Sequence, residues 1–354
     1  MGMPGVTISF TEKAATAVKR GERGRVALIL KDTNIPGQNP VVCFSNEDIP
    51  KTLSEKNREQ IALALMGYVN APKKVTAFII SESAEGYGEA LDYLKTMPFD
   101  YLAVPQAETD GVKQDIVSYV KAQRQQGKLI KAVLPDVAAD SEGIINYATE
   151  KVSTDGKEYT AEEYCARIAG IIAGTPMTIS STYAPLMELA DCTRLTKEAM
   201  DAAVDAGQFI VWHDGEKVKT GRAVNSLTTT TDRKGDSFKK IKIVEAMDMI
   251  SSDIKKTAED SYLGKYANSY DNKCLLLSAI HSYLAQLVND GILSSEQVEI
   301  DVDANKAYLE AHGTETEGMD ENALKRADTG SFVFLRAKIK ILDAIEDIVL
   351  PIEI

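Results

Sequence analysis

The chain has 354 residues, 44% of them hydrophobic and 26% charged, and its formal net charge is -13. A chain of this length can bury two separate cores, and the composition is typical of a globular protein and excludes an extensively disordered one. The acidic balance argues against a general nucleic-acid binder, because such proteins neutralise phosphates with clustered basic residues.

The first 24 residues are predicted to form an N-terminal arm. Residues 6–10 alternate as a short strand, and residues 11–24 are polar and basic. The basic segment 19–25 contains Glu22 and no aromatic residue, so it lacks the pattern of a single-strand nucleic-acid site. A strand as short as 6–10 is not stable alone, and we expect it to pair with another sheet.

Residues 25–174 are predicted to form an outer, compact α/β domain. Continuous apolar runs predict strands that are buried on both faces, and helical segments separate them. This alternation favours right-handed crossovers and a mostly parallel sheet. A short strand pair around 144–152 with the turn at 154–157, and a helix at 161–173, complete the domain. The strands are predicted at 25–30, 73–80, 100–105 and 128–135, and the helices between them at 53–69, 85–96 and 112–126.

A parallel sheet invites a nucleotide-binding interpretation, because α/β folds bind ligands at the carboxyl ends of their strands. The loops that such sites need are missing, since no GxGxxG follows a strand and no GxxxxGK[ST] occurs. Gly86-Tyr87-Gly88 precedes a helix but lacks the third glycine, so we interpret it as a turn. No cofactor is therefore expected.

Residues 175–330 are predicted to form an inner assembly domain, which makes the expected fold class α/β in the outer domain and α+β overall. A helix at 195–206 is ended by Gly207, in the manner of a glycine cap. The dipeptide Asp214-Gly215 between two apolar segments is a strong signal for a hairpin.

Two amphipathic helices are predicted in the second half of this inner domain, at 244–259 and 272–289. The longer helix has one apolar face at three- and four-residue spacing. After it, residues 294–328 are acidic and polar, so we predict a solvent-facing excursion. The apolar face of the longer helix comprises Leu276, Ile280, Tyr283, Leu284, Leu287 and Val288.

Residues 331–354 are predicted to supply the C-terminal strands of the inner domain and an exchange arm. The segment 332–341 alternates, which predicts a strand with one apolar and one basic face. The last residues, 348–354, predict another apolar strand. The apolar face of the first strand comprises Val333, Leu335, Ala337, Ile339 and Ile341, and its basic face Arg336, Lys338 and Lys340.

Side chains that could carry catalysis or bind a metal are few and scattered. The three histidines, His213, His281 and His312, never stand at metal-ligand spacing, and we interpret His281 as an interior or interface residue. The four cysteines form no CxxC pair, and the acidic clusters lack the glycine and final glutamate of a calcium loop. We therefore predict no catalytic, cofactor-binding or metal site, and no enzyme.

Four stretches of the sequence together resemble the contractile tail sheath proteins of phages, R-type bacteriocins and defective-phage particles of Gram-positive bacteria. In the second stretch, 156–185, a helix leads to A-G-T-P and S-x-T-Y-A-P. In the third, 206–231, a hairpin leads to N-S-L-T-T. In the last, a helix is followed by Y-x-G-K. The stretches are PGVTISF at 4–10, GKEYTAEEYCARIAGIIAGTPMTISSTYAP at 156–185, AGQFIVWHDGEKVKTGRAVNSLTTTT at 206–231 and FKKIKIVEAMDMISSDIKKTAEDSYLGKYANS at 238–269.

The resemblance implies a structural subunit of a contractile injection tail. Sheath subunits of this family stack as hexameric rings around an inner tube and contract to drive the tube through a cell envelope. The implied partners are other copies of this chain, the inner tail tube protein, and the baseplate and tail terminator proteins, with neither nucleic acid nor a membrane. The acidic stretch 312–322 departs from the family pattern, which leaves its contact role open.

The implied location is a virion tail or an extracellular bacteriocin particle. Such a protein is made in the bacterial cytoplasm and released by lysis. The sequence agrees with this expectation, because it begins without the basic and apolar regions of a secretory signal and has no apolar run long enough to span a membrane.

Both ends of the chain are apolar strands without a partner nearby in the sequence. Exposed strand edges need pairing, and strand addition between subunits supplies it through backbone hydrogen bonds. We therefore predict that both ends exchange with a neighbouring subunit, near the apolar face of the strand at 332–341. The exchanging residues are Val6, Thr7, Ile8, Ser9 and Phe10 at the N-terminus and Ile348, Val349, Leu350, Ile352 and Ile354 at the C-terminus.

Two other classes of protein compete with the sheath interpretation. An α/β nucleotide-binding protein or enzyme would use the outer domain as its site, but it would need a phosphate loop or a clustered acid and base. A non-contractile capsid or tail-tube protein shares the assembly class. Tube subunits, however, are smaller and mostly β, whereas this chain carries a separate α/β domain.

Overall fold

The computed structural model describes residues 16–353. The predicted N-terminal strand, from Val6 to Phe10, and the last predicted exchange residue, Ile354, lie outside the described residues. The rest of the predicted organisation can be compared with the structure element by element.

The chain packs as two compact units. The larger comprises Glu22–Met249 together with the chain from Asp343 onward, and the smaller comprises Ile250–Leu342 together with the segment that ends at Gly21. The domain boundary predicted near residue 174 falls inside the larger unit, because segments on both sides of it contribute buried side chains to one core.

The larger unit contains twelve strands among the described residues, and five helices lie wholly within it. A further helix, α6 (Ile241–Ser261), begins there. The strands are β1 (Arg25–Asp32), β2 (Val41–Cys43), β3 (Lys74–Ser81), β4 (Tyr101–Ala103), β5 (Lys131–Pro135), β6 (Ile144–Tyr147), β7 (Lys151–Ser153), β8 (Glu158–Thr160), β9 (Asp191–Cys192), β10 (Gln208–Phe209), β11 (Val211–His213) and β12 (Val218–Thr220). The helices are α1 (Glu55–Leu65), α2 (Gly88–Leu94), α3 (Lys113–Gln125), α4 (Ala161–Ala173) and α5 (Lys197–Asp205).

Seven of these strands form the central sheet, in the spatial order β10-β6-β5-β4-β1-β3-β2. Every neighbouring pair is parallel except β2 with β3, which is antiparallel. The predicted α/β fold with a mostly parallel sheet is therefore confirmed. Three strands were not predicted to join this sheet: β2 was not predicted, β6 was expected in the strand pair around 144–152, and β10 was expected in the hairpin that follows it.

Helices cover both faces of the central sheet, as the continuous apolar runs of its strands predict. Along β1, Val26, Leu28 and Leu30 belong to the core beneath α1 and α4. Ala27 and Ile29, which point to the opposite face, belong to the core beneath α2 and α3. All five side chains are almost completely buried, so this strand holds the two helical layers together.

Helices α1 and α4 approach each other closely at a glycine. A Cβ atom at Gly170 would lie 2.2 Å from the carbonyl oxygen of Ala64, so only glycine fits between the two backbones. Helix α4 begins with a capping box, in which Thr160 and Glu163 each bind the other's backbone N–H. These contacts fix the helical layer on one face of the sheet.

The predicted hairpins are present at the positions that the turn residues indicate. Strands β7 and β8 pair around the turn at 154–157, and β9 extends them to a three-stranded sheet. Strands β11 and β12 pair around Asp214, whose carboxylate accepts hydrogen bonds from the N–H groups of Glu216 and Lys217 at 2.9 and 3.0 Å. Gly207, which ends α5, has a φ of 72°.

The smaller unit consists of helices around one antiparallel strand pair. Helix α7 (Tyr270–Asn289) buries Ile280, Tyr283, Leu284 and Leu287, which lie on the predicted apolar face. The predicted Leu276 and Val288 are half-buried. The remaining elements are β13 (Leu293–Ile300), α8 (Val302–Ala311), α9 (Glu321–Arg326) and β14 (Leu335–Ile341).

The solvent-facing excursion predicted at 294–328 was wrong. This segment contains the strand β13 and the helices α8 and α9, and β13 pairs along its whole length with β14. The strand was missed because its sequence, LSSEQVEI, has polar residues at the central positions. A two-stranded sheet with one open face tolerates such residues, since only the other face needs apolar side chains.

The C-terminal residues adopt no strand within 342–353 of this isolated chain. The strand predicted at 348–354 is therefore not formed here. The side chains of Ile348, Val349, Leu350 and Ile352 are 81, 92, 74 and 76% exposed, respectively. An apolar segment in this state needs a partner to cover it.

Candidate assembly surface

The β13–β14 pair is a two-stranded sheet with an unpaired edge on each strand. Its antiparallel register runs from Leu293 opposite Ile341 to Ile300 opposite Leu335, with a bulge after Leu293. Within residues 16–353, no third strand joins either edge. Two rows of backbone N–H and C=O groups are therefore available to further strands.

One face of this sheet packs against its own unit, and the other is largely open. Leu293 and Ile300 are buried, whereas Ile339 and Ile341 are half-buried. Of the predicted receiving residues, Leu335 is also half-buried, and Ala337 is exposed. The last of them, Val333, lies before β14 and is 39% exposed.

Charged side chains surround the start of β14. The guanidinium of Arg336 donates to Asp301 at 2.7 and 3.1 Å and to Asp303 at 2.9 Å. The N–H of Ala304 and this guanidinium lower the pKa of Asp301. Such a forked pair fixes the start of β14 against the N-terminus of α8.

His281, predicted as an interior or interface residue, does not lie in the interior of the chain, and its interface position stays a prediction. Its imidazole is 57% exposed, and its Nδ1 lies 3.0 Å from a carboxylate oxygen of Glu296 on β13. Its neighbours Ile280 and Tyr283 occupy the buried face instead. His281 stands only one residue from the centre of the apolar stripe, and the 3.6-residue period of the helix turns it toward solvent.

The root of the C-terminal arm is clamped within the larger unit by a buried carboxylate. The side chain of Glu346 is 6% exposed and accepts a hydrogen bond from the hydroxyl of Thr182 at 2.6 Å. Its other oxygen lies 3.0 Å from Nζ of Lys240 and 3.3 Å from a guanidinium nitrogen of Arg222. Arg222 also donates to Asp347 at 2.6 Å, which lowers the pKa of that carboxyl. The arm therefore leaves the larger unit at a fixed point.

The larger unit also contains a buried cluster of charges that sequence reasoning missed. Nζ of Lys131, which is 1% exposed, forms ion pairs with Glu245 and with Asp248, the latter at 2.8 Å. Arg124 donates to both oxygens of Asp248, at 2.9 and 3.1 Å. Burial would raise the pKa of Asp248, but Lys131 and Arg124 together lower it. The cluster joins β5 and α3 to the first turns of α6.

The remaining candidate side chains form no reactive arrangement among the described residues. Burial raises the pKa of the Cys43 thiol to about 11, which leaves it protonated and unreactive. No group of three or more acidic, histidine or cysteine side chains within residues 16–353 is placed to hold a metal ion. Tyr87, in the turn before α2, is buried and donates to Asp110 at 2.5 Å, so an aromatic ring occupies the predicted turn.

Several solved structures of sheath proteins share this fold. The sheath tail protein of Desulfitobacterium hafniense has a TM-score of 0.73 at 20% identity, over 84% of this chain and 94% of that one. The helical sheath of the anti-feeding prophage in its contracted state has a TM-score of 0.74 at 15% identity, over 100% and 99% of the two chains. The fold is thus that of a tail sheath subunit.

Sequence comparison shows the family directly. Residues 81–226 match the model of the phage tail sheath protein central domain, and residues 233–354 match that of the phage tail sheath C-terminal domain. The chain is also 40% identical to the tail sheath protein of Clostridium phage phiCD119, over 98% of each chain. It belongs to the phage tail sheath protein family.

Membership of this family makes the chain a structural subunit of a contractile tail sheath and not an enzyme. The resemblance noted from its sequence motifs is therefore confirmed. Among residues 16–353, no helix combines the length and apolarity that a membrane span requires.

Proposed function

We propose that subunits of this protein stack as hexameric rings around an inner tube and are linked by exchanged terminal strands. The observation that carries the proposal is the combination of an open-edged sheet, β13–β14, with an exposed apolar arm at 348–353. One strand from a neighbouring subunit on each edge would satisfy the unpaired backbone groups. The predicted N-terminal strand at 6–10 would supply the second of these strands.

The arm sequence itself defines which side would face the receiving sheet. Alternate residues of an edge strand direct their N–H groups to the same side, and Pro351 has no N–H to donate. The productive orientation therefore turns the N–H groups of Ile348, Leu350 and Ile352 toward the receiving edge and places Pro351 on the outer side.

The clamp at Glu346 gives this link a defined pivot. The acidic residues Asp343, Glu346 and Asp347 tie the start of the arm to Arg222 and Lys240 of its own subunit. A strand held at its far end by a neighbour would then allow subunits to rotate while the link persists. Contraction in this scheme needs no cofactor, because the energy is stored in an extended lattice that is less favourable than the contracted one.

The further partners we propose are the inner tail tube protein and the baseplate and tail terminator proteins. They follow from the family and from similar folds in the anti-feeding prophage sheath and baseplate assemblies. We likewise propose that the protein is made in the bacterial cytoplasm and released in a particle by lysis.

Electron microscopy of the purified protein with and without residues 348–354 tests strand exchange. We expect the full chain to form hollow cylinders over a range of salt and protein concentrations, and the truncated chain to stay a folded monomer. Replacing the exposed Ile345, which precedes the arm, by serine is the matched control and should leave assembly intact. Normal cylinders from the truncated chain would show that this arm is not the link.

A pair of proline substitutions tests the orientation of the added strand. Leu350→Pro removes an N–H that faces the receiving edge, so it should prevent assembly. Val349→Pro removes an outward N–H and should be tolerated. The reverse result would place the opposite side of the arm against the sheet.

A further inference from the structure

The first described residues of the chain, 16–21, belong to the smaller unit and contact its helix α6. The hydroxyl of Tyr262 donates to the carbonyl oxygen of Thr16 at 3.0 Å. The N–H of Lys19 donates to the hydroxyl of Thr257, a buried side chain of α6, at 3.4 Å. These six residues, here called the N-terminal root, are therefore bound to the unit along their backbone.

Asp253 of α6 is the most deeply buried of the side chains that bind the N-terminal root. It is 3% exposed, and its two oxygens accept from the N–H of Gly21 at 2.9 Å and from the hydroxyl of Tyr283 on α7 at 2.8 Å. A hydrogen bond to a carboxylate is stronger than one between neutral groups. The contact also suits glycine, because a Cβ atom at position 21 would lie only 2.9 Å from the same carboxylate oxygen.

The other charged contact of the N-terminal root is at the surface. The guanidinium of Arg20 lies 2.7 Å from a carboxylate oxygen of Asp290, at the end of α7, and the two side chains are 47 and 31% exposed. An exposed ion pair of this kind contributes little to stability. Asp253 is therefore the residue that mainly fixes where the N-terminal root ends.

The position of the N-terminal root limits where the predicted strand at 6–10 can pair. Six Cα–Cα steps join Thr16 to Phe10, and they span at most roughly 20 Å. A tethered segment meets a binding edge at a high effective concentration only when the tether can reach that edge. The point at which the arm leaves its own subunit thus decides which edges are available to it.

We propose that Asp253 is a positioning residue, which fixes the exit point of the N-terminal arm and so selects the neighbouring edge that the strand at 6–10 joins. This inference rests on the proposed exchange of terminal strands. Glu346 holds the root of the C-terminal arm in the larger unit, whereas Asp253 belongs to the unit that contains β13 and β14. The N-terminal link is therefore attached to the unit of the receiving sheet, and the C-terminal link to the larger unit.

Tryptic cleavage of the monomeric full chain after Lys19 and Arg20 measures how firmly the N-terminal root is bound. Cleavage of a transiently opened segment follows the population of its open form. Asp253→Ala should increase this cleavage rate by about 10- to 100-fold, which corresponds to the loss of a hydrogen bond to a charged group. The matched control is Asp260→Ala, which removes an exposed carboxylate from the same helix and should leave the rate unchanged.

Gly21→Ala disturbs the same contact from the side of the arm and leaves α6 intact. The added methyl group must displace the carboxylate of Asp253, so cleavage in the N-terminal root should again become faster. Gly37→Ala, with open space around it, is the matched control. Cleavage after Lys255 and Lys256 reports on unfolding of α6 itself and should stay slow in the Gly21→Ala variant.

Electron microscopy of the same variants tests whether assembly depends on this contact. Asp253→Ala and Gly21→Ala should lose most of their cylinders, while the two controls assemble like the parent. Unchanged cleavage after Lys19 and Arg20 in both variants would overturn the role of Asp253 in binding the root. Faster cleavage together with normal cylinders would overturn its role in assembly.

A chain without residues 1–10 separates this inference from the proposed strand exchange. Normal cylinders from that chain would refute the N-terminal link, and with it the selection of an edge by Asp253. Loss of cylinders on this deletion, but not on Asp253→Ala, would leave strand exchange in place and refute only the positioning role.

Discussion

Replacing Lys131 by methionine should destabilise the larger unit more than any ordinary surface substitution. The change removes a fully buried ammonium group and leaves the carboxylate of Glu245, which is 8% exposed, without this partner. Asp248 keeps its two hydrogen bonds from Arg124, so Glu245 is the carboxylate that mainly loses its ion-pair partner. A buried charge without a counter-ion is expensive because the interior cannot solvate it.

The magnitude follows from the burial of the pair. Breaking a buried ion pair by removing one partner costs about 3–5 kcal/mol of the free energy of unfolding. For a unit of this size, about 1 kcal/mol corresponds to roughly 2–4 °C in Tm, so the melting temperature should fall by roughly 6–20 °C. Methionine fills a similar volume, so loss of packing contributes little.

Chemical denaturation followed by Trp212 fluorescence measures this effect, because Trp212 belongs to the same unit as Lys131. Lys95→Met is the matched control, since Lys95 pairs with Asp92 on the surface and should cost about 1 kcal/mol or less. Adding Glu245→Gln to the Lys131→Met variant should recover part of the loss. If the free energy of unfolding of the Lys131→Met variant lay within about 0.5 kcal/mol of the parent value, Glu245 would not be a buried charge left without a counter-ion.

Two further changes of stability follow from the larger unit. Gly170→Ala should lower the free energy of unfolding by about 1–3 kcal/mol, because the new methyl group would meet the backbone of Ala64, whereas Gly88→Ala, with open space around it, should be tolerated. Thermal melts of the two variants make the comparison, and equal Tm values would contradict it. Acidification should also destabilise the unit. The pKa of Asp248 is lowered in the folded protein, chiefly by Lys131. The contribution of this carboxylate to the free energy of unfolding is therefore complete above about pH 4 and is lost as the pH falls through its native pKa. In a pH titration of unfolding, Asp248→Asn should reduce this acid dependence, and an unchanged slope would contradict the assignment.

The central sheet could be predicted from sequence because its signals are local and strong. The run RVALIL is apolar at every position but the first. Such a continuous apolar run is typical of a strand that is covered on both faces. The turn at 154–157 and the Asp214-Gly215 hairpin carry residues that those turns need. Helix α4 has the predicted limits, 161–173, and in the structure a capping box fixes its first turn.

The features that were missed depend on distant parts of the chain. Strand β13 has polar residues because one of its faces is open, and its partner β14 lies more than thirty residues away. The burial of Lys131 depends on acidic residues of α6, so no local pattern indicates it. The strand predicted at 348–354 is not formed within residues 342–353, because no other strand of the described chain pairs with this segment.

If the arm joins a neighbouring sheet as proposed, Pro351 also limits how many chains one sheet can join. In the orientation proposed above, the outward side of an added arm has a missing hydrogen-bond donor near its centre, so it is a poor template for another strand. Each receiving edge would therefore accept one arm and then stop. In this proposed scheme the subunits would grow as an ordered lattice, and Pro351 would suppress fibril-like stacking of their sheets.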